Sequence, residues 1–173
     1  KTAEQILQVQ IEKAQQELQY IDTVFEALSR ANAERELAEI RQELMEQGYI
    51  RRSKEKQKTA ALPPLCFVSS GGFQILVGRN NRQNDALTLK TAGNNDIWLH
   101  TKNIPGSHTV IVTETRTPDE QTLLEAAQLA AFHSRARDGA QVPVDYTQIR
   151  YVSKPSGAKP GMVIYETNQT IYI

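Results

Sequence analysis

Seven residues near the start of the chain, Leu7, Ile11, Ala14, Leu18, Ile21, Phe25 and Leu28, recur at steps of 4, 3, 4, 3, 4 and 3. That spacing is a heptad seam, the period at which helices wind around one another. It commits the segment to a long helix with one narrow apolar edge. The remaining faces are rich in Gln and Glu, which favours a coiled-coil contact over the inner face of a globular core. The phase breaks after Leu28, where the step to Ala33 is 5. A second series, Ala33, Leu37, Ile40 and Leu44, predicts another helix. Asn32 is its expected cap, Glu34 and Glu36 fall in its first turn, and Gly48 supplies its stop. The two helices are expected at about residues 2–29 and 33–47.

The stretch 51–64 reads as a linker, basic first and then Leu62-Pro63-Pro64, which cannot continue a helix. Beyond it, apolar runs alternate with turns. Strands at 65–69 and 73–77 flank Ser70-Gly71-Gly72, a hairpin signal. A short helix is expected over 83–90, and further strands at 97–100, 108–113, 149–153, 162–166 and 170–173, with Asn168-Gln169 as the last turn. Thr117-Pro118-Asp119-Glu120 predicts a helix start with Thr117 as cap, running to about Arg137. Its stripe of Ala126, Ala127, Ala130 and Ala131 suits close packing on a sheet. Runs of strands around one long helix predict an α+β chain. Its parts are a coiled-coil helix pair at 1–50, a linker at 51–64, and a compact, largely antiparallel sheet domain with one long and one short helix at 65–173.

Basic and acidic residues are equal at 20 each but unevenly placed. Residues 2–47 hold 4 basic and 10 acidic side chains, a net of −6. Residues 51–58 hold 5 and 1, a net of +4, and residues 61–173 hold 10 and 9, a net of +1. A near-neutral domain does not announce nucleic acid by charge, so RNA contact must come from local clusters. The single Cys66 excludes an internal disulfide framework and fits a reducing compartment. No run approaches the roughly 18 apolar residues of a membrane span, and the amino terminus is unlike a signal peptide. Opening on Lys1 directly in a helical pattern, the chain reads as a piece of a longer protein.

Two polar clusters at strand ends form the candidate site, because strand ends let side chains escape packing and reach a partner. One is GRNNRQND, Gly78 to Asp85, and the other is DIWLHTKNIPGSH, Asp96 to His108. In the first, Arg79 and Arg82 flank Asn80 and Asn81, a mixture of guanidinium and amide that suits phosphates and base edges. The alternative is an ordinary loop with Asn in turn conformations. In the second, His100, Lys102 and His108 face one partner if the Pro105-Gly106 turn folds back, although a satisfied structural histidine fits the same pattern. Trp98, between Ile97 and Leu99, is expected in the core rather than as a stacking platform. Farther on, Lys154 and Lys159 bracket a Gly-rich turn that reads either as an anion nest or as a hairpin loop. The histidines lack zinc spacing, and no HExxH, CxxC, phosphate loop or GxSxG elbow is present. No catalysis, metal or cofactor is therefore expected.

GRNNRQND, DIWLHTKNIPGSH, the helix EAAQLAAFHSRA (125–136) and VPVDYTQIRYVSKPSGAKPGMVIYE (142–166) together resemble the carboxy-terminal NFACT-R domain. That domain is found in bacterial RqcH proteins, also called fibronectin-binding protein A-like or PavA-like, whose eukaryotic relative is NEMF. The likeness covers 65–173, and the preceding helices resemble the end of the family's middle coiled coil. It implies a cytoplasmic ribosome-associated quality-control factor that binds the large ribosomal subunit, its rRNA and a ribosomal protein, together with tRNA, and directs alanine tailing. The family's tail-directing Asp-Arg motif belongs to a domain outside this chain. The role carried over is RNA binding, onto Arg79, Asn80, Asn81, Arg82, His100, Lys102, His108, Lys154 and Lys159. The family's older name implies an alternative, a fibronectin-binding adhesin at the bacterial surface. A homodimer through the seam is also expected, since a lone helix of this length is marginal in water.

Overall fold

In the computed structural model, which describes residues 2–51 and 60–173, the chain begins with two helices, α1 (Ala3–Arg30) and α2 (Glu34–Glu46). Thr2 and Gln5 form a capping box at the start of α1. The cap expected of Asn32 does not form. Ala33 occupies the N-cap with no side-chain bond, while the backbone N–H of Asn32 donates to the Glu36 carboxylate at 3.0 Å. Gly48, at φ 83°, lets the chain turn out of α2 as expected. Most of the basic run lies at 52–58, outside the described residues.

The rest is a six-stranded antiparallel sheet in the order β1-β2-β4-β3-β5-β8 with a separate pair β6-β7. The strands are β1 (Leu65–Val68), β2 (Gln74–Val77), β3 (Ile97–Thr101), β4 (Thr109–Val112), β5 (Pro143–Gln148), β6 (Val152–Ser153), β7 (Ile164–Tyr165) and β8 (Gln169–Tyr172). Between β2 and β3, α3 (Asn81–Ala86) runs on into one π-helical turn, Leu87–Thr91, so the expected short helix starts two residues earlier, behind an Asn80 cap. The long helix α4 (Glu120–Phe132) is capped by Asp119 rather than Thr117, because the Asp119 carboxylate accepts from the Thr122 N–H at 2.7 Å. It stops at Phe132, well before Arg137. The backbone just past the helix is claimed from outside: the His133 carbonyl at the C-cap accepts the Ser107 N–H, and the Arg135 N–H donates to the Pro105 carbonyl. The strand expected at 149–153 is instead a 3-10 turn, Ile149–Tyr151, followed by the short β6.

Two cores sandwich the sheet. On one face the alanine stripe of α4 packs on Phe73, Ile75, Leu99, Ile111 and Val144, where only residues as small as Ala let helix and sheet approach. On the other, Trp98, Val110, Leu87, Ile149 and Val152 close beneath the β6-β7 arm. Trp98 is 1 % exposed, a core residue as its neighbours suggest. A third cluster, Tyr20, Val24, Ala27 and Ile40, joins the two helices. No helix among the described residues is long and apolar enough to cross a membrane.

Candidate functional site

The segment 78–85 packs against the helix pair. Glu36, Glu39, Glu43 and Glu46 step along one face of α2 at intervals of 3, 4 and 3, and each meets a residue of the polar cluster. Arg79 pairs with Glu36 at 2.7 Å and donates through Nε to Pro63 O at 2.9 Å. The Asn80 amide donates to Glu39 at 2.7 Å, and its carbonyl accepts the Gln83 N–H that opens α3. The Asn81 amide bridges Glu43 at 3.1 Å and Thr23 at 2.8 Å. Tyr20 donates its hydroxyl to the same Glu43 oxygen at 2.7 Å. Arg82 stands 3.5 Å from Glu46, with both side chains nearly half exposed.

Around this clasp, α1 takes three further cations. Arg135 reaches Asp22 at 3.2 Å, Arg137 reaches Glu26 at 2.6 Å, and Lys159 lies 3.8 Å from Glu17 and over the rings of Tyr20 and Tyr49. The charge difference between the acidic helices and the near-neutral domain is thus partly satisfied inside the molecule. Buried or half-buried pairs of this kind fix geometry more than they add stability.

The structure therefore divides the nine candidate residues. Asn80, Asn81 and His108 are buried with their polar atoms engaged, which withdraws them from any surface. In His108, Nδ1 meets Thr88 at 2.7 Å and Nε2 meets Gly161 O at 3.1 Å, so one nitrogen accepts and the other donates. Burial, reinforced by the neighbouring His100, holds its pKa well below the usual histidine range, and the ring is neutral at physiological pH. His100, half-buried and stacked on Trp98 at 5.7 Å, is also lowered by burial. Neither histidine offers a cation to phosphate.

Lys154 spends its protons on Asp85 at 2.8 Å and on the carbonyls of Lys159 and Met162. The Gly161 N–H is bound by Asp85, and the Ala158 and Met162 N–H groups by turn carbonyls. These three amides are taken by the protein itself, and the loop is a strap over α3. Arg79 is consumed by the clasp. Among the nine, Arg82 and Lys102 remain substantially exposed, the latter 3.7 Å from Asp145.

Two cations that sequence reasoning passed over join Arg82. Arg41 of α2 and Lys90 of the π-helical turn are exposed and line the same cleft, of about 710 Å³, between α2, α3 and the 154–160 strap. The signal for the packing was the acidic stripe of α2, whose step matches the helix period. Nothing in the linear sequence joins Arg41 to Lys90.

A family model described as NFACT protein RNA binding domain matches residues 64–167, and one described as NFACT N-terminal and middle domains matches 1–62. The chain is 48% identical over 172 residues to the Rqc2 homolog RqcH of Bacillus subtilis, covering 97% of this chain and 30% of that protein. It is 40% identical over 164 residues to the Rqc2 homolog RqcH of Streptococcus suis, covering 94% and 29%. It therefore spans about 30% of the length of these relatives. Among solved structures, the C-terminal part of the fibronectin/fibrinogen-binding protein from Streptococcus suis superposes with a TM-score of 0.92 at 38% identity, covering 98% of this chain and 68% of that one.

Proposed function

The chain belongs to the NFACT family, of which it carries the RNA-binding domain and part of the preceding region, and on that premise we propose that it is an RNA- and ribosome-binding part of a ribosome-associated quality-control factor. In this reading the longer protein engages stalled large ribosomal subunits and tRNA in the cytoplasm and supports alanine tailing of the nascent chain. The helix pair reaches a ribosomal protein, and the compact domain touches RNA. This part acts by binding, without catalysis. Through its seam it also forms a homodimer in solution.

The observation that carries the reading is the cleft in which Arg41, Arg82 and Lys90 stand exposed, while its carboxylates Glu39, Glu46 and Asp85 are held by Asn80, Arg82 and Lys154. All three are exposed, and the partly solvated Arg82–Glu46 pair is weak enough to yield to phosphate. Binding to a structured RNA hairpin is expected to show a log–log salt slope of roughly −2 to −4, corresponding to about three to four phosphate contacts. Replacing Arg82 and Lys90 together by Ala should flatten that slope by about 1 to 2. Arg79→Ala should instead loosen the helix clasp and leave the slope alone. Salt-independent binding, or a slope unaltered by the double replacement, would refute this placement of the site.

A second reading is favoured by the Streptococcus suis relative, which is described as binding fibronectin and fibrinogen. Attachment to immobilised fibronectin that survives the Arg82/Lys90 double replacement would support it.

A further inference from the structure

Away from the cleft, the sheet ends in an edge that no strand covers among the described residues. Strand β1 is the first in the sheet order and pairs only with β2 among the described residues. The Ser69 N–H donates to Phe73 O at 2.8 Å, which fixes the parity of the ladder. Bonded pairs recur at every second residue, so Phe67 faces Ile75 with its hydrogen bonds, and the backbone groups of Cys66 and Val68 point away from β2. Two N–H and C=O pairs are thus presented outward along the edge. Free strands are usually blunted by charge, by a bulge or by a covering loop. This one carries Cys66 and Val68 instead, and Val68 is 74% exposed.

Beside the edge lies a groove of about 390 Å³ between β1 and α4, lined by Phe67, Ile75, Leu129 and Phe132 with Glu125 at one end. Phe132, at 64% exposure, is a large apolar ring on the groove wall. The Glu125 carboxylate is held by the N–H and hydroxyl of Ser70 and by the Gln121 amide, all neutral donors. Among the described residues no cation pairs with it, or with Asp119 and Glu120 at the same end of the helix.

We propose that the outer edge of β1 and the groove between β1 and α4 take an extended peptide segment of a protein partner, apolar at alternate positions and bearing a Lys or Arg that meets Glu125. The outward backbone pairs fit another extended backbone, which adds to the sheet as a further strand. Because side chains alternate along a strand, every second residue of the guest faces the groove, where Phe67 and Phe132 receive an apolar group. The uncompensated carboxylates select a cation and repel nucleic acid, which separates this surface from the cleft with Arg41, Arg82 and Lys90. A second copy of the chain fits less well, since pairing β1 with itself sets two acidic α4 helices side by side.

The test uses a fluorescein-labelled synthetic peptide of alternating Val and Lys/Thr, a counterpart with every Lys replaced by Glu, and a third with the backbone nitrogens of alternate residues methylated. Anisotropy titrations with the whole chain should show saturable binding of the Lys peptide, at least about tenfold weaker binding of the other two, and protection of the Cys66 and Val68 amides from exchange. Val68→Pro removes an outward N–H without touching the ladder to β2 and should weaken binding at least about tenfold. Glu125→Gln should narrow the difference between the Lys and Glu peptides, and unchanged amide spectra elsewhere will verify that both variants are folded. Equal or absent binding of the Lys and Glu peptides, or wild-type binding by Val68→Pro, would overturn the proposal. So would a uridine oligonucleotide that protects the Cys66 and Val68 amides in place of the peptide, or a dimer in sedimentation that Val68→Pro abolishes, which would give the edge to a second copy.

Discussion

Glu43 holds the joint between the helix pair and the sheet domain, and it does so as a buried carboxylate. Burial raises its pKa above the ordinary carboxyl range, against the opposing bonds from Tyr20 and Asn81. A raised value in the folded state means that its contribution is complete below the unfolded carboxyl range and is lost as pH rises through the folded value. Glu43→Gln keeps the acceptor for both donors and removes the charge, so its Tm should exceed that of wild type by more near pH 8 than near pH 5. Glu43→Ala strands the Tyr20 hydroxyl, costing about 1–3 kcal/mol, and takes one of the two bonds of the Asn81 amide, which keeps Thr23. Thermal melts across pH check the pair, and a Gln variant that melts below wild type throughout is incompatible with this account. His133 works in the opposite direction. Burial, helped by Arg30 and Arg137, lowers its pKa to about 4, so its contribution is present above 6.5 and is lost as pH falls through about 4. His133→Gln should flatten the fall in Tm over that interval, leaving the part due to His100 and His108. If the acid limb of the pH–Tm curve is superimposable on wild type, His133 has been misjudged. The sequence of 78–85 announced a polar site, but Arg79, Asn80 and Asn81 bond to carboxylates some 40 residues earlier in the chain. Linear reading therefore took intramolecular donors for free ones.

Elements were most legible where a period repeats and least where a loop overrides it. The seam of α1 and the alanine stripe of α4 both showed in the spacing. The end of α4 did not, because it is set by Pro105 and Ser107 of another segment that bond its final turn. β5 was not among the expected strands: Pro143 and Asp145 are residue types that strands usually exclude, yet Pro143 starts the strand and Asp145 is buried against the hydroxyls of Tyr165 and Thr170. The Pro-Gly-Ser turn owes its composition to the same meeting with α4. A Cβ on Gly106 would stand 2.8 Å from Ser134 Cβ and 2.9 Å from Thr101 Oγ1, closer than atoms pack. Gly106→Ala should push the turn off the helix end and cost about 1–3 kcal/mol by overpacking, read as a lower urea midpoint at unchanged slope. A midpoint equal to wild type would mean that this junction gives way freely.

At the scale of the whole molecule, α1 divides into a docked half and a free half. Tyr20, Val24 and Ala27 face α2 and the domain, on a different side from most of the heptad seam. Of the seam residues only Ile21 is half-buried, while Leu7, Ile11, Leu18, Phe25 and Leu28 are exposed, Leu18 at 66% and Phe25 at 62%. A seam that packs neither on α2 nor on the sheet retains its full tendency to associate, at about 1.5–3 kcal/mol for each large side chain buried. The free half of α1 also has little reason to stay helical alone in water. Both pressures are relieved when the same helix of a second copy pairs with it around a two-fold axis, as an isologous contact. Light scattering at high concentration should therefore report a dimer that dissociates on dilution. Leu18→Glu with Phe25→Lys, both on the exposed seam, should give a monomer whose domain melts as in wild type. If wild type is monomeric at high concentration while the whole of α1 shows helical chemical shifts, the helix stands without a partner and the seam has another use. The contact uses only the edge of α1 that the sheet domain does not cover, so dimerisation leaves Tyr20, Val24 and Ala27 docked as before.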